Sequence, residues 1–289
     1  MDISGILFDP IGALFSKPSC FLPMILFELF LVLAIVLPLF AGLAAQPFLL
    51  GNQPTVSPFS GLYAAVIIIV IIVALLLAPF LNGIYIALAS QLRTGSKKLS
   101  LDGAVKRAKQ KYLSLLGADL LVGAIALVSV GIPYLIFIFQ PQLGITGLAT
   151  VSVSAILILI MIIASIVLLV YFFQVNAAVI IEDKKAIQAF RRSMEIGKKY
   201  PWSIIGVILL AIALFLVIDI ILGLVVSLIS LAFSVLGFAA VTIVSTILSA
   251  VIAAGLTAWL YMIAGTFYYS YVAKPASAPA APAAKPQQK

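Results

Sequence analysis

The 289-residue chain has no histidine and one cysteine, and only 9% of its residues are charged. Each shortage excludes something. Without histidine there is no Ser-His-Asp triad, no histidine-ligated zinc and no HExxH hydrolase motif. The single cysteine, Cys20, cannot form a disulfide within the chain. Lys17-Pro18-Ser19 precedes it in place of the small and branched residues of a lipobox, so Cys20 reads as structural. A soluble domain carries roughly 25% charged residues, and a chain this poor in charge cannot cover a water-exposed surface. These absences leave no catalytic motif, no metal set and no cofactor site to expect.

What the chain has instead is apolar length. Hydrophobic residues make up 64% of it. Residues 21–45, 62–92, 113–139, 151–181 and 202–272 are each long enough to cross a bilayer, which takes about 20 residues at ~1.5 Å each. In hydrocarbon every backbone polar group needs an internal partner, which leaves helices or a closed barrel. The runs lack the alternation of barrel strands. The expectation is therefore an all-α polytopic bundle. The first run starts after Asp2 and Asp9 rather than a basic cluster, and it exceeds the ~7–15 residues of a signal h-region, so it is expected to remain as a first span.

The charges fall in alternate loops. Segment 93–111 holds Arg93, Lys97, Lys98, Lys106, Arg107, Lys109 and Lys111 against Asp102. Segment 182–199 holds Lys184, Lys185, Arg191, Arg192, Lys198 and Lys199, and the tail holds Lys274, Lys285 and Lys289. Loops 46–60, 140–150 and about 231–237 carry no charge. The positive-inside rule puts the basic segments and both termini in the cytoplasm. It also decides for two spans, not three, within 202–272, because three would put the basic tail outside. Six spans result, at about 21–45, 62–92, 113–139, 151–181, 202–231 and 238–272. Residues 1–20 form an interfacial cytoplasmic segment, and 273–289 a disordered Pro/Ala/Lys tail. The net charge of +8 is one-sided and no nucleic-acid-binding fold accompanies it.

Local signals refine this. Asp9 and Pro10 suit the start of a short helix. Pro79 is expected to kink the second span. Ser100 is an N-cap candidate. Leu101, Ala104, Val105, Ala108, Tyr112 and Leu115 recur at helical spacing with the basic residues mostly elsewhere, which predicts an amphipathic surface helix leading into span 3. A second such helix follows span 4, with Asp183 as cap and Gly197 as its end. Its basic doublets at 184/185, 191/192 and 198/199 repeat every seven residues and form a stripe drifting only ~20° per heptad. Glu195 is placed to pair with Arg191 and Lys199 at i±4. Ala104–Ala108 aligns with Ala189–Ser193, which suggests an internal repeat. In the last span Ser245, Ser249, Ala253 and Thr257 form a small-residue stripe for helix packing or a homo-oligomer seam.

The second basic segment also carries a motif. Val179-Ile180-Ile181-Glu182, then Ala189-Phe190-Arg191-Arg192-Ser193-Met194-Glu195, then Lys198 and Trp202, resembles a cytoplasmic pattern of a loose superfamily of prokaryotic six-span proteins. These include the membrane domain attached to some glycerophosphodiester phosphodiesterases, the YciC-like proteins and several archaeal families of unknown function. Glu182, Ala189 and Ser193 match the pattern's fixed positions. The resemblance implies the six-span layout. This chain has no soluble catalytic domain, so no phosphodiesterase activity carries over.

Intramembrane polar residues are functional candidates by default. Glu28 and Asp119 lie roughly 10 Å from the cytoplasmic ends of their spans, within reach of a basic side chain. Asp219 lies ~25 Å along span 5 with no basic residue near in sequence. It is expected to be protonated, hydrogen-bonded or facing a cavity. Asn82, Gln174 and Asn176 add amides that can join helices or line a pathway. The leading expectation is a non-catalytic plasma-membrane protein engaging anionic lipids or a protein partner through Lys106, Arg107, Lys109, Lys111, Lys184, Lys185, Arg191, Arg192, Lys198 and Lys199. The alternative is a small transporter or channel using Asp219 and the amides.

Overall fold

The computed structural model describes residues 3–34, 58–94, 99–140, 142–233 and 238–272. The second half of the expected first span, the loop before span 2, Lys97, Lys98 and the tail from 273 lie outside the described residues. Among the described residues the structure is helical and contains no strand. The elements are α1 (Ile3–Ser16), α2 (Pro18–Ala34, opening with a 3₁₀ turn), α3 (Pro58–Arg93), α4 (Leu101–Ala126), α5 (Ile132–Ile138), α6 (Leu148–Phe172), α7 (Val175–Ile181), α8 (Ala186–Lys199), α9 (Pro201–Phe233) and α10 (Phe238–Tyr271). Among the described residues five helices are long and apolar enough to cross a membrane: Ala65–Arg93, Leu101–Ile138, Ala149–Ile181, Pro201–Ala232 and Val241–Tyr271. α1 and α2, bent by 107°, make a sixth if counted as one span.

The bend follows from Pro18, which has no N–H to continue the α1 ladder and disfavours helical backbone at Lys17. The expected helix start at Asp9-Pro10 is corrected. α1 opens at Ile3 and runs through Pro10. Burial decides this: Ile6, Leu7, Pro10, Ala13 and Leu14 form one stripe that packs inward. Trp259 Nε1 on α10 donates to the Leu7 carbonyl at 2.8 Å. Asp9, freed from capping, pairs with Arg93 at 3.3 Å.

The helix expected over the first basic segment runs on into the third apolar run, as its spacing suggests: it forms the opening turns of α4, capped by Ser100, whose hydroxyl accepts from Gly103 N–H at 3.1 Å. The helical path continues through a π-turn at Leu127–Gly131 into α5. Pro133 just beyond cannot donate to the preceding turn, and the wider turn absorbs that loss. Pro79 sits within an unbroken α3.

The tight packing lies at one end of the bundle. There the last turns of α3 (Ile84 to Ala89), α7 from Val175 to Ile180 and the last turns of α10 (Trp259 to Tyr268) are buried together. Small residues set the spacing: a Cβ on Gly265 would come 2.8 Å from Ala89 Cβ, so α3 and α10 touch nearly backbone to backbone. The opposite end shows side chains such as Ile68, Ile72, Leu159, Ile220 and Leu228 outward. The buried end is also the end that carries the ion pairs of the described residues.

Candidate functional site

The polar site grows from the junction of α7 and α8. Ile181 ends α7, and Asp183 then takes a left-handed backbone with φ +58, a conformation aspartate tolerates. That turn puts two carboxylates on opposite partners. Arg107 of α4 donates from Nε and Nη2 to the Ile180 carbonyl, at 3.2 and 2.9 Å, and from Nη2 to Asp183 at 3.0 Å. A cation thus sits on the negative end of α7. Lys111 reaches Asp183 at 2.9 Å. Glu182 instead receives Arg192, whose Nε and Nη2 lie 3.3 and 3.2 Å from Oε1, and Lys184 at 3.4 Å. Arg192 Nη1 also reaches Glu195 at 3.1 Å. The hydrogen bond and charge of Lys111 hold the Asp183 carboxyl below its ordinary value, aided by Arg107 against mild burial. Burial pushes the Glu182 carboxyl up, but Tyr268, Arg192 and Lys184 facing it outweigh that, and the net shift is down. The Tyr268 hydroxyl is buried beside this pair without a hydrogen bond of good geometry.

α8 is clamped along one face. Ala189 is fully buried. Ser193, 1% exposed, donates its hydroxyl to the Tyr171 carbonyl at 2.7 Å. That carbonyl belongs to the last turn of α6, where the ladder leaves acceptors without helical partners. Phe190 stacks on Phe172 with ring centroids 4.6 Å apart. The motif positions Glu182, Ala189 and Ser193 are therefore the joints that seat α8. Three expected roles are corrected. Asp183 does not cap α8, which opens after Lys185 with the Gln188 side chain accepting from Lys185 N–H. Gly197 does not end the helix, which runs to Lys199; it is the point of closest approach, where a Cβ would lie 2.9 Å from the Val170 carbonyl oxygen. Glu195 pairs with Arg192, three residues before it, rather than with Arg191 or Lys199.

This geometry sorts the ten expected basic residues. Arg107, Lys111, Lys184 and Arg192 are held by carboxylates. Lys106, Lys109, Lys185, Arg191, Lys198 and Lys199 are exposed and form no ion pair among the described residues. Leu113, Ile187 and Trp202 stand exposed among them, at 80%, 62% and 82%.

A second polar group lies inside the bundle. Asn176 Nδ2 donates to Asp119 Oδ1 at 2.7 Å. Asp119, by its depth within reach of a basic side chain, is hydrogen-bonded to this amide, which the α6–α7 break at Phe173-Gln174 turns toward α4. Asn82 and Asn176 line a cavity of about 350 Å³ between α3, α6, α7, α9 and α10, with Tyr261 beside them. Tyr261 is within electrostatic reach of Asp119 and Glu28. The Oδ1 atoms of Asn82 and Asn176 and both amide atoms of the fully buried Gln174 have no partner among the described residues. Asp219 stands apart: it is exposed on α9 and does not line this cavity. No group of three or more His, Cys, Asp or Glu among the described residues could hold a metal ion. Sequence reading missed Tyr261, Trp259 and Tyr268, whose only signal was being aromatic in an apolar span, as most of their neighbours are not polar-tipped.

Residues 1–275 match the model of the family described as Domain of unknown function (DUF7847), and the chain belongs to that family. No curated protein and no solved structure matches.

Proposed function

We propose that this DUF7847 chain is a non-catalytic, multi-pass protein of the plasma membrane, with both termini cytoplasmic, that holds anionic lipid headgroups against α8 and the first turns of α4. One observation carries the reading. The fold spends its carboxylates on Arg107, Lys111, Lys184 and Arg192, and leaves Lys106, Lys109, Lys185, Arg191, Lys198 and Lys199 exposed beside Ile187, Leu113 and Trp202. Unpaired cations next to exposed aliphatic and indole side chains are the composition of a helix lying at a membrane surface. α8 then works as an amphipathic surface helix, and the basic end of the bundle is its cytoplasmic end.

The size of the effect can be bounded. Each Lys or Arg near an anionic surface contributes about 1 kcal/mol. Replacing Lys185, Arg191, Lys198 and Lys199 together by Gln removes up to about 4 kcal/mol, or roughly a thousandfold in affinity at low salt. The protein in nanodiscs of mixed neutral and anionic lipid, extracted gently and weighed by native mass spectrometry, should retain anionic lipid. The fourfold variant should lose it while keeping the same melting curve. Equal retention by both proteins sinks the lipid reading and leaves a protein partner as the use of this face. A reporter enzyme fused after Lys289 and active outside the cell would overturn the topology.

The transporter reading keeps the amide cavity but not Asp219 as part of it, since Asp219 faces out from α9.

A further inference from the structure

Apart from the basic surface, the bundle holds a cavity of about 350 Å³ at the α6–α7 break, within the size range of small-molecule sites. Its wall is mostly apolar, with Phe172, Phe173, Ile208 and Ala211 prominent. Leu169 of α6 and Ile212 of α9 also line it, and both are exposed, at 40% and 44%. The rest of the lining is half-buried or buried. The mouth therefore lies between α6 and α9, within two helices apolar enough to cross a membrane. A ligand that enters there comes from the hydrocarbon side and brings an apolar chain.

Few polar atoms reach this space. Asn82 Nδ2 and the Tyr261 hydroxyl keep accessible surface and have no hydrogen bond among the described residues. The amide oxygens do not face it: Asn82 Oδ1 and Asn176 Oδ1 are shut off, and Asn176 Nδ2 is spent on Asp119. Reversing the Asn82 amide would bury its N–H groups without acceptors in place of a carbonyl oxygen, and orphaned buried N–H groups are the rarer of the two. An amide nitrogen only donates, and a phenol can donate as well as accept. A ligand satisfies both groups by presenting acceptor oxygens, which an acyl group supplies as an ester or as a free acid. No Lys or Arg lines the cavity, so hydrogen bonds rather than a counter-charge hold the head.

We propose that the cavity lined by Asn82 and Tyr261 beside the α6–α7 break binds an acyl group, its oxygens accepting from Asn82 Nδ2 and the Tyr261 hydroxyl and its alkyl chain lying along the apolar wall.

The test uses the full chain in an alkyl maltoside, whose micelle carries no carbonyl, and methyl octanoate with a diazirine on its chain as the photoreactive probe. Cross-linked peptides are mapped by mass spectrometry. Saturable labelling of residues 169–173, 208–212 and 260–264 is expected, competed by methyl octanoate or octanoate and not by octane or octylammonium, which have no acceptor. Which of the first two competes better tells an ester-linked acyl group from a free acid. Asn82→Leu and Tyr261→Phe break no hydrogen bond of the described residues, so the fold should persist. Each should lower labelling by subsaturating probe about fivefold, the loss of one hydrogen bond. Protein carrying both should no longer prefer methyl octanoate to octane. Ala211→Phe fills the cavity, leaves both donors in place and should abolish labelling. Equal competition by octane or octylammonium in the unaltered protein would overturn the proposal. So would a preference kept by the doubly substituted protein, or labelling unchanged in Ala211→Phe protein that elutes as a single folded species.

Discussion

Gly197→Ala and Gly206→Ala are the same chemical change in two helices, and the structure gives them opposite signs. In a helix interior alanine is favoured over glycine by up to about 1 kcal/mol, because glycine loses more backbone freedom on folding. At Gly206 on α9 an added Cβ meets nothing within 4 Å, so that gain stands alone. At Gly197 on α8 the Cβ would lie 2.9 Å from the Val170 carbonyl oxygen, 3.0 Å from Tyr171 Cδ1 and 3.1 Å from Tyr171 Cα. Two of those atoms are backbone and cannot rotate away, so α8 must lift off α6. Overpacking of this kind costs about 1–3 kcal/mol. The lift also stretches the Ser193 hydrogen bond to the Tyr171 carbonyl, now 2.7 Å. The sum is a net loss of about 1 kcal/mol at Gly197 against a gain of up to about 1 kcal/mol at Gly206. Unfolding by SDS in mixed micelles can measure both. The chain's two tryptophans serve as probes: Trp202 is exposed just past the end of α8, and Trp259 is buried on α10. If both substitutions raise the unfolding midpoint, α8 is not seated on α6 in the way described.

The other predictions concern the same joint. Ser193→Ala should cost about 1 kcal/mol, since a buried carbonyl at the end of α6 loses its donor; the same SDS titration reads it, and an unchanged midpoint contradicts the clamp. Glu182 and Asp183 have carboxyls held below their ordinary values of 4.5 and 3.8. Their contribution is therefore complete above about pH 5 and is lost as pH falls through the lowered values, below about pH 4. Amide exchange of α8 should be flat from pH 5 to 7 once corrected for intrinsic rates, and should rise in excess below pH 4. Asp183→Asn with Glu182→Gln should remove that excess rise. The effect at Asp183 is tenths of a kcal/mol, because its side chain is half exposed.

What the sequence determines by itself is local or composition-driven. The apolar runs had to be helices because each is long and apolar enough that hydrocarbon leaves no other way to satisfy the backbone. Ser100 was readable as a cap because capping involves only the next three residues. The two basic segments were readable because charge order is a property of the chain. Tertiary structure decided everything that needed a partner from far along the chain. Nothing near Asp119 in sequence says that its partner is Asn176, which comes from a helix 57 residues away. Nothing near Arg107 says that it closes on Ile180 and Asp183 rather than on a membrane. α1 runs through Pro10 because its buried stripe has α10 to pack against, a contact that outweighs one lost backbone hydrogen bond. Composition gave this chain helices long and apolar enough to span a membrane; the distribution of a few carboxylates among many cations, which only packing fixes, decided which cations stay unpaired among the described residues.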